Sequence, residues 1–273
     1  KMGHSKALLL FVVISCLTPE RIMSEFGQFH GASLSYVIIN GTNGLEVQLD
    51  LISGWVLGRG PCGLHCSRAS INSDTKLSRM EVFQQEGDSR YFGNWTVLYK
   101  LNGSRTVHVT DISQNVYNST KETVLYVNEL AGWEQDWTVV RFPMIPGATY
   151  MDFIFEGTSW TSLSLQGDNR AWHVQIKVTP DLRSDTGKPN NSPQAFSKPF
   201  YRLLLGQVNY IRVSATDPDG DFIHCKLSEF VEAGIVSTHL LPNVTVTEDC
   251  VISIPSYRSL GYKNGSCGAI GVS

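Results

Sequence analysis

The sequence predicts an all-β protein with two consecutive β-sandwich domains after a signal peptide. Three observations support this prediction. Short segments of alternating apolar and polar residues recur along the chain, separated by Gly, Asn, Ser and Asp, as expected for strands with one buried face. Long apolar patterns with a helical period are absent from the sequence, and β-branched and aromatic residues fill the alternating segments. The N-terminus places a basic residue before a short apolar run.

Residues 1–24 are predicted to form a secretory signal peptide. Lys6 supplies the basic n-region, and residues 7–17 (ALLLFVVISCL) form an apolar h-region that is too short for a stable transmembrane helix. We expect cleavage within residues 18–26, with an uncleaved signal anchor as the alternative. We also expect the sequence to be part of a longer reading frame, so that any membrane anchor would lie beyond Ser273.

The first sandwich is predicted over residues 26–181, and a second, smaller one over residues 193–273, truncated at its C-terminus. Residues 182–192 form the predicted linker, because they contain few apolar residues and several turn formers. The strands expected in the first domain are residues 44–55, 95–101, 106–110, 122–127, 138–142, 149–155 and 172–178. Those expected in the second are residues 200–205, 208–215, 222–227, 235–241, 244–247, 250–254 and 269–272.

Seven Asn-x-Ser/Thr tripeptides, none with proline in the middle, are spread along the chain. One such tripeptide arises easily by chance, but seven behind a signal peptide predict a glycoprotein. A glycan is bulky and solvated, so each site should lie on a surface loop or on the solvent face of a strand. The predicted acceptors are Asn40, Asn94, Asn102, Asn118, Asn190, Asn243 and Asn264.

Five cysteines remain once Cys16 leaves with the signal peptide, and in an oxidising compartment they should form disulfides. Cys62 and Cys66 (GPCGLHC) are close enough to close a small loop and are the expected pair. A zinc site with His65 is the alternative, although it would need further ligands. Because the number is odd, one partner should lie in a further segment or in another chain. The cysteines whose pairing stays open are Cys225, Cys250 and Cys267.

Charge and motifs exclude several function classes. The net charge of -3 and the absence of a Lys/Arg cluster give no basic field for nucleic acid, so we expect no nucleic-acid partner. The sequence has no HExxH pair and no GxSxG elbow. Glu134 and Asp136 could flank a glycosidic bond, but nothing places a second carboxylate opposite them, and we predict that they are solvated loop residues. We therefore expect no enzymatic activity.

Residues 190–193 (NNSP), followed by residues 206–221 (GQVNYIRVSATDPDGD), resemble the opening half of cadherin-like and related immunoglobulin-like repeats. In that family an N-x-x-P start precedes a strand that ends in A-x-D-x-D-G-D. The resemblance covers the last third of the chain and implies a Greek-key sandwich in an extracellular array. Residues 55–66 (WVLGRGPCGLHC) and 224–226 (HCK) also resemble the N-terminal region of large surface or secreted proteins of invertebrate animals.

Asp217, Asp219 and Asp221 are candidate calcium ligands, because they place hard oxygen donors two residues apart on a loop. The alternative is a Pro-Asp-Gly turn in which aspartate bonds to the local backbone. Cadherin sites take an acidic residue from the N-x-x-P segment, and here that segment is NNSP. Calcium is the one cofactor that the sequence suggests.

The tryptophans offer a candidate sugar-binding surface. Trp133 and Trp137 (WEQDW) could form an aromatic platform with Trp160 and Trp172, since each ring presents an apolar face with a polar edge. Core packing is the alternative. Trp55 and Trp172 follow strand alternation and are expected in the core, whereas Trp133 and Trp137 lie in a polar stretch and are expected to be exposed.

These observations predict an extracellular, non-catalytic glycoprotein module for recognition or adhesion. It would be secreted or displayed on the outer face of the plasma membrane, with a protein or glycan ligand at the cell surface. The alternatives are a carbohydrate-binding module of a secreted protein and the non-catalytic N-terminal part of a secreted hydrolase.

Overall fold

The computed structural model describes residues 9–14, 29–63, 65–75, 93–112, 121–157, 160, 163–165, 171–229, 232, 241–264, 266 and 268–273. The fold of these residues is all β. Short 3-10 helices occupy Arg68–Ser70 and Arg258–Leu260. None of the helices in this part of the chain combines the length and the apolar character that a membrane crossing requires.

The strands are β1 (Leu9–Ile14), β2 (Phe29–Gly41), β3 (Gly44–Val56), β4 (Asp74–Thr75), β5 (Asn94–Leu101), β6 (Val107–Asp111), β7 (Lys121–Asn128), β8 (Trp133–Pro143), β9 (Ala148–Gly157), β10 (Trp172–Val178), β11 (Gln194–Phe196), β12 (Phe200–Tyr201), β13 (Val208–Arg212), β14 (Ser214–Thr216), β15 (Thr245–Val246), β16 (Val251–Pro255) and β17 (Gly268–Val272).

Two sheets share one core and form a β-sandwich in the first part of the chain. The larger sheet has the strand order β12-β1-β2-β3-β8-β7-β4, and β17 also pairs with β1. The smaller sheet has the order β10-β9-β5-β6. Neighbours β2, β3, β8 and β7 are antiparallel, and β1 and β12 are parallel. The inward faces of both sheets contribute to the same apolar cluster.

Period-two alternation explains why these segments become strands. Every second residue of a strand faces the same side of its sheet, so an alternating sequence buries its apolar residues in one core. The residues that β3, β9 and β10 bury in this way are Val47, Leu49, Leu51, Met151, Phe153, Phe155, Val174, Ile176 and Val178.

Aromatic rings fill the centre of the sandwich. The Phe29 ring stacks on Trp172 with ring centroids 3.8 Å apart, and it meets Trp55 edge-on at 5.1 Å. Phe155 packs against the same Trp172 at 5.0 Å. Gly157 is required beside this cluster, because an added Cβ would lie 2.4 Å from the Trp172 ring. Large rings contribute both area and specific geometry to the core.

The C-terminal part has a smaller core of its own. β11 pairs with β14, and β16 lies between β13 and β15. Ile211, Ile252 and Ile254 from β13 and β16 are buried in this core together with the Cys225–Cys250 disulfide. A disulfide adds stability chiefly by restricting the unfolded chain, which suits a core of this size.

Strand β1 connects the two parts. Its residues Leu10–Ile14 pair with β17, its first residues Leu9 and Leu10 pair with β2, and Val13 and Ile14 pair with β12. This strand lies inside the h-region of the predicted signal peptide. Cleavage after residues 1–24 would therefore remove one strand of the larger sheet. The signal peptide stays a prediction.

Most of the predicted strands are confirmed. β3, β5, β6, β7, β9, β10, β16 and β17 match the expected segments to within about two residues at each end. β2 was not among the predicted strands, although its residues 29–36 are buried. The predicted segment 208–215 is divided into β13 and β14 at Val213, and residues 235–240 lie outside the described part of the chain.

Three strand predictions need correction. β8 begins at Trp133 and not at Thr138, because the stretch WEQDW continues the pairing with β3. The segment predicted over residues 200–205 is a strand at Phe200–Tyr201 alone. Residues 222–227 form no strand. In that segment Leu227 makes an isolated bridge to Val272.

We predict that Trp172→Ala lowers the free energy of unfolding by about 3–5 kcal/mol, because the removed ring leaves a cavity in the core. Trp137→Ala is the matched control. Its ring is 37% exposed, so the loss should be about 1 kcal/mol, mainly from the hydrogen bond to Asp50. Urea unfolding of both variants measures the difference. Equal losses would contradict the packing described here.

Candidate functional site

The Arg183 side chain is the centre of a polar network that we call the junction. Arg183 follows β10 in a short hairpin, where its N–H donates to the Lys188 carbonyl at 2.8 Å. The guanidinium side chain is 12% exposed. Its Nε and Nη2 donate to the two Asp185 carboxylate oxygens at 3.0 and 2.8 Å. Its Nη1 donates to Asn190 Oδ1 at 2.7 Å.

The same guanidinium also holds the Asp217–Asp221 loop. Nη2 donates to Asp221 Oδ1 at 2.9 Å, and Nη1 donates to Asp221 Oδ2. Nη1 lies 3.8 Å from Asp219 Oδ2. The hydrogen bonds to Asp221 and Asp185 raise the pKa of Arg183 above its usual value, so the guanidinium stays charged. The linker and the loop are thus joined by one cation.

The aspartate loop is a tight turn. Asp217 Oδ1 accepts hydrogen bonds from the backbone N–H groups of Asp219 and Asp221 at 2.8 and 3.2 Å. Gly220 has φ of 80°, a value that glycine adopts without strain. Asp219 accepts hydrogen bonds from the backbone and side-chain N–H groups of Asn191 at 2.7 and 3.0 Å. The geometry is that of an aspartate-stabilised turn.

Asn191 and Ser192 attach the linker to β2. Asn191 Oδ1 accepts the Ile38 N–H at 2.8 Å, and Ser192 Oγ accepts the Tyr36 N–H at 2.7 Å. The Ser192 N–H donates to the Tyr36 carbonyl at 3.0 Å. Burial, together with Asp219 and Asp217, raises the pKa of Tyr36 to about 12. The junction therefore runs from the sandwich through the linker to the aspartate loop.

The contacts of the aspartate loop bear on the predicted calcium site. Ca²⁺ needs six or more oxygens directed at one centre. Here Asp219 accepts hydrogen bonds from Asn191, and Asp221 pairs with Arg183, so both of these carboxylates already have donors. Within the described residues, Asp217 Oδ2 is a buried oxygen without a hydrogen-bond donor. Calcium binding stays a prediction, and the contacts favour the turn alternative.

The predicted glycosylation sites differ in accessibility. Asn190 is half-buried, and its side-chain amide donates to the Asn191 carbonyl at 2.9 Å. Asn118 lies outside the described residues. Five acceptors are exposed, as a glycan requires. They are Asn40, Asn94, Asn102, Asn243 and Asn264.

The four tryptophans do not form one surface. Trp160 and Trp172 are each 2% exposed, and Trp133 is 8% exposed and stacks on Tyr126 with centroids 5.0 Å apart. The expectation that Trp133 is exposed is therefore wrong, because β8 begins at this residue. Trp137 is exposed, and its indole N–H donates to Asp50 Oδ1 at 3.0 Å.

The predicted Cys62–Cys66 disulfide is confirmed, with a Cα–Cα distance of 5.3 Å. The second disulfide joins Cys225 to Cys250, a pairing that the sequence left open. No free cysteine is present among the described residues. Cys16 and Cys267 lie outside them. The zinc alternative does not apply to this disulfide-bonded form, because the sulfurs of Cys62 and Cys66 bond to each other.

Glu134 and Asp136 are not solvated loop residues. They lie on β8 with exposures of 0% and 1%. Glu134 Oε2 accepts the Gly58 N–H at 2.8 Å from the loop that carries Cys62. Burial raises the pKa of Glu134 to about 7, although hydrogen bonds from the backbone of Gly58, Gly60 and Cys62 oppose this rise. The loop and the carboxylate thus form a second candidate site.

No family model matches the chain. Comparison with curated proteins and with solved structures also gave no match. The resemblance to cadherin-like repeats and to invertebrate surface proteins therefore stays a prediction.

We predict that Arg183→Met lowers the Tm by about 4 °C or more, because it leaves the carboxylates of Asp221 and Asp219 without their cation. Millimolar Ca²⁺ should leave the Tm of the wild type unchanged and should restore part of the loss in the variant. Arg258→Met, at an exposed arginine outside the junction, is the control. Calorimetry with Ca²⁺ and with chelator measures each shift. A calcium-dependent rise in the wild type would contradict this account.

We predict that the free energy of unfolding falls less in Glu134→Gln than in the wild type when the pH rises from about 5 to about 8. The difference should be on the order of 1–3 kcal/mol. The folded pKa of Glu134 is about 7 against an ordinary value of 4.5, so the native state favours the protonated acid and stability falls as pH rises through this range. Burial lowers the pKa of His30 to about 4, which gives the opposite slope, but both proteins share it. Urea unfolding at several pH values measures the difference. Parallel curves would refute the prediction.

Proposed function

We propose that this chain is a non-catalytic recognition or adhesion module of an extracellular glycoprotein, and that it binds a protein partner at the junction. The observation that carries the proposal is the exposure of two large apolar side chains beside the Arg183–Asp221 ion pair. Phe222, next to Asp221, is 92% exposed, and Leu182, next to Arg183, is 63% exposed.

Rigid support makes these two side chains suitable for binding. Arg183 and Asp221 are held by paired hydrogen bonds, so the backbone that carries Leu182 and Phe222 is ordered before a partner arrives. Such preorganisation reduces the entropy lost on association. Large apolar side chains that are buried at the centre of an interface contribute most of the binding free energy. Exposed aromatic and aliphatic groups on a fixed frame therefore favour recognition.

Charge around these side chains favours a partner with a basic rim. Asp181 and Asp185 are exposed on the linker side. Arg183 and Lys188 are the basic residues of the same segment, and the charge of Arg183 is taken up by Asp221 and Asp185. Complementary charge at a rim affects the rate of association and the choice of partner.

Three further features support an extracellular location. Two disulfides join cysteines within the described residues, and such bonds persist in oxidising compartments. Five predicted glycosylation sites are exposed. The N-terminal segment has the pattern of a secretory signal.

Trp137 favours the carbohydrate-binding alternative, because its exposed ring is held in place by a hydrogen bond to Asp50.

We predict that replacing Leu182 and Phe222 together by Ala lowers the affinity for a protein partner at least about 30-fold. The secreted chain, coupled to beads, is tested against an array of extracellular protein domains and against a glycan array. Leu130→Ala is the matched control, because Leu130 is 93% exposed in the β7–β8 turn, outside the junction.

The two arrays separate the alternatives. Saturable binding to a protein that survives Leu130→Ala and is lost in the double variant supports the proposal. Binding to glycans alone, lost on Trp137→Ala, would replace it with the carbohydrate-binding function. Protein binding that the double variant retains would place the contact elsewhere and overturn the proposed site.

A further inference from the structure

The Cys62–Cys66 disulfide closes a short loop that lies over a buried carboxylate. The loop leaves β3 at Val56, and the Leu57 N–H donates to the Gly132 carbonyl at 2.9 Å. The next residue, Gly58, donates its N–H to Glu134 at 2.8 Å. The loop is thus attached to Gly132 and Glu134, on either side of the first residue of β8.

The Glu134 carboxylate lies next to the sulfur atoms. A carboxylate oxygen of Glu134 and the Sγ atoms of Cys62 and Cys66 lie within 4.8 Å of one another. Gly60 makes this approach possible, because a Cβ at that position would lie 2.4 Å from Glu134 Oε1 and 2.6 Å from the Trp55 ring. The loop is therefore fitted to the carboxylate.

The two sulfur-bearing residues differ in their surroundings. Cys66 is 8% exposed and packs with Val124 and Val127 in a small apolar cluster. Cys62 is half-buried at the edge of that cluster. A thiolate attacks a disulfide along the S–S axis at the more accessible sulfur, and the other sulfur leaves. Cys62 is therefore the sulfur open to attack, and Cys66 is the leaving thiol.

The second disulfide provides a contrast within the same chain. Cys225 and Cys250 are both 5% exposed in the C-terminal core, and they are separated by 25 residues. Cys62 and Cys66 are separated by 4 residues. A disulfide that closes a short loop restricts the unfolded chain less, so opening it costs the fold less. The short loop can open while the domain stays folded.

We propose that Cys62–Cys66 is a thiol–disulfide exchange site in which Glu134 is the general acid, with a low-molecular-weight thiol as co-substrate. The thiolate attacks Cys62 Sγ, a mixed disulfide forms, and the Cys62–Cys66 bond breaks. The electron pair of that bond goes to Cys66 Sγ, which takes the proton of Glu134. A second thiolate then attacks the co-substrate sulfur of the mixed disulfide and releases Cys62 as a thiolate, which takes a proton from water. In sum, two thiols are oxidised to one disulfide and the protein disulfide is reduced to two thiols.

The protonation state of Glu134 suits this step. Burial raises its pKa to about 7, so a protonated fraction is present near neutral pH. Other ionisable groups surround it. Asp136 and Glu122 lie on the same sheet face from β8 and β7, and Arg59 and His65 belong to the loop.

The test uses the intact secreted protein and glutathione as the thiol. The oxidised protein is incubated with glutathione, and the thiols that form are alkylated with iodoacetamide at successive times. Peptide mass spectrometry then reports the opening of each disulfide separately. We expect Cys62–Cys66 to open at least about tenfold faster than Cys225–Cys250 while the tryptophan fluorescence of the folded core is unchanged. Opening of both disulfides at one rate, together with loss of that fluorescence, would overturn the proposal.

Glu134→Gln tests the proton transfer. Gln retains an acceptor for the Gly58 N–H but has no acidic proton, so opening should slow at least about tenfold near pH 6. The matched control is Glu156→Gln, at an exposed carboxylate on β9 in the smaller sheet, which should keep the wild-type rate. An unchanged rate in folded Glu134→Gln would remove Glu134 from the step.

The wild-type pH profile decides the same question without a variant. The opening rate is divided by the thiolate concentration at each pH. For Cys62–Cys66 this quotient should fall as pH rises through about 7, because Glu134 loses its proton. The quotient for Cys225–Cys250 should stay level. A level quotient for Cys62–Cys66 would contradict the proposal even if Glu134→Gln did not fold.

Discussion

The junction depends on one constraint, which is that the backbone N–H groups of β2 beyond its pairing with β1 must have hydrogen-bond acceptors. β1 pairs with β2 at Leu34 and Ser33, and the edge beyond them would leave buried amides unpaired. The side chains of Ser192 and Asn191 bond to the Tyr36 and Ile38 amides in place of a further strand. The linker is therefore part of the sheet edge. Asp219 fixes Asn191, and so the loop and its cation follow from the same requirement.

The sequence was sufficient to predict the strands whose alternation is simple. In β3, β9 and β10 most residues on the inward parity are apolar and buried, and these strands lie where expected. The first half of β8 has no apolar alternation, because its buried face carries Glu134 and Asp136, and acidic residues are typical of an exposed face. Residues 222–227 alternate in the same way as a strand. Phe222 lies on the same parity as the exposed residues His224 and Lys226, and it is itself 92% exposed.

The candidate sites were predictable only in their local parts. The Cys62–Cys66 pair and the aspartate turn depend on neighbours in sequence, and spacing alone indicated both. Arg183 meets Asp221 across 38 residues, and Glu134 meets Gly58 across 76. Such contacts form only when the strands of the sheets are paired in register, so no local sequence pattern predicts them. Exposure of Leu182 could not be predicted either, because single apolar residues on a surface have no sequence signature.

Strand β1 has a consequence for the order in which the chain can fold. Leu10 pairs with Val272, so residues from opposite ends of the described chain meet in one ladder. A contact between such distant residues raises the contact order, and the entropy of closing the intervening loop must be lost before the pairing contributes. During synthesis the hairpin of β2 and β3 can form early, whereas a β1 strand that remains attached must wait for β17 to leave the ribosome. The last step of folding would then close the sheet on its first strand.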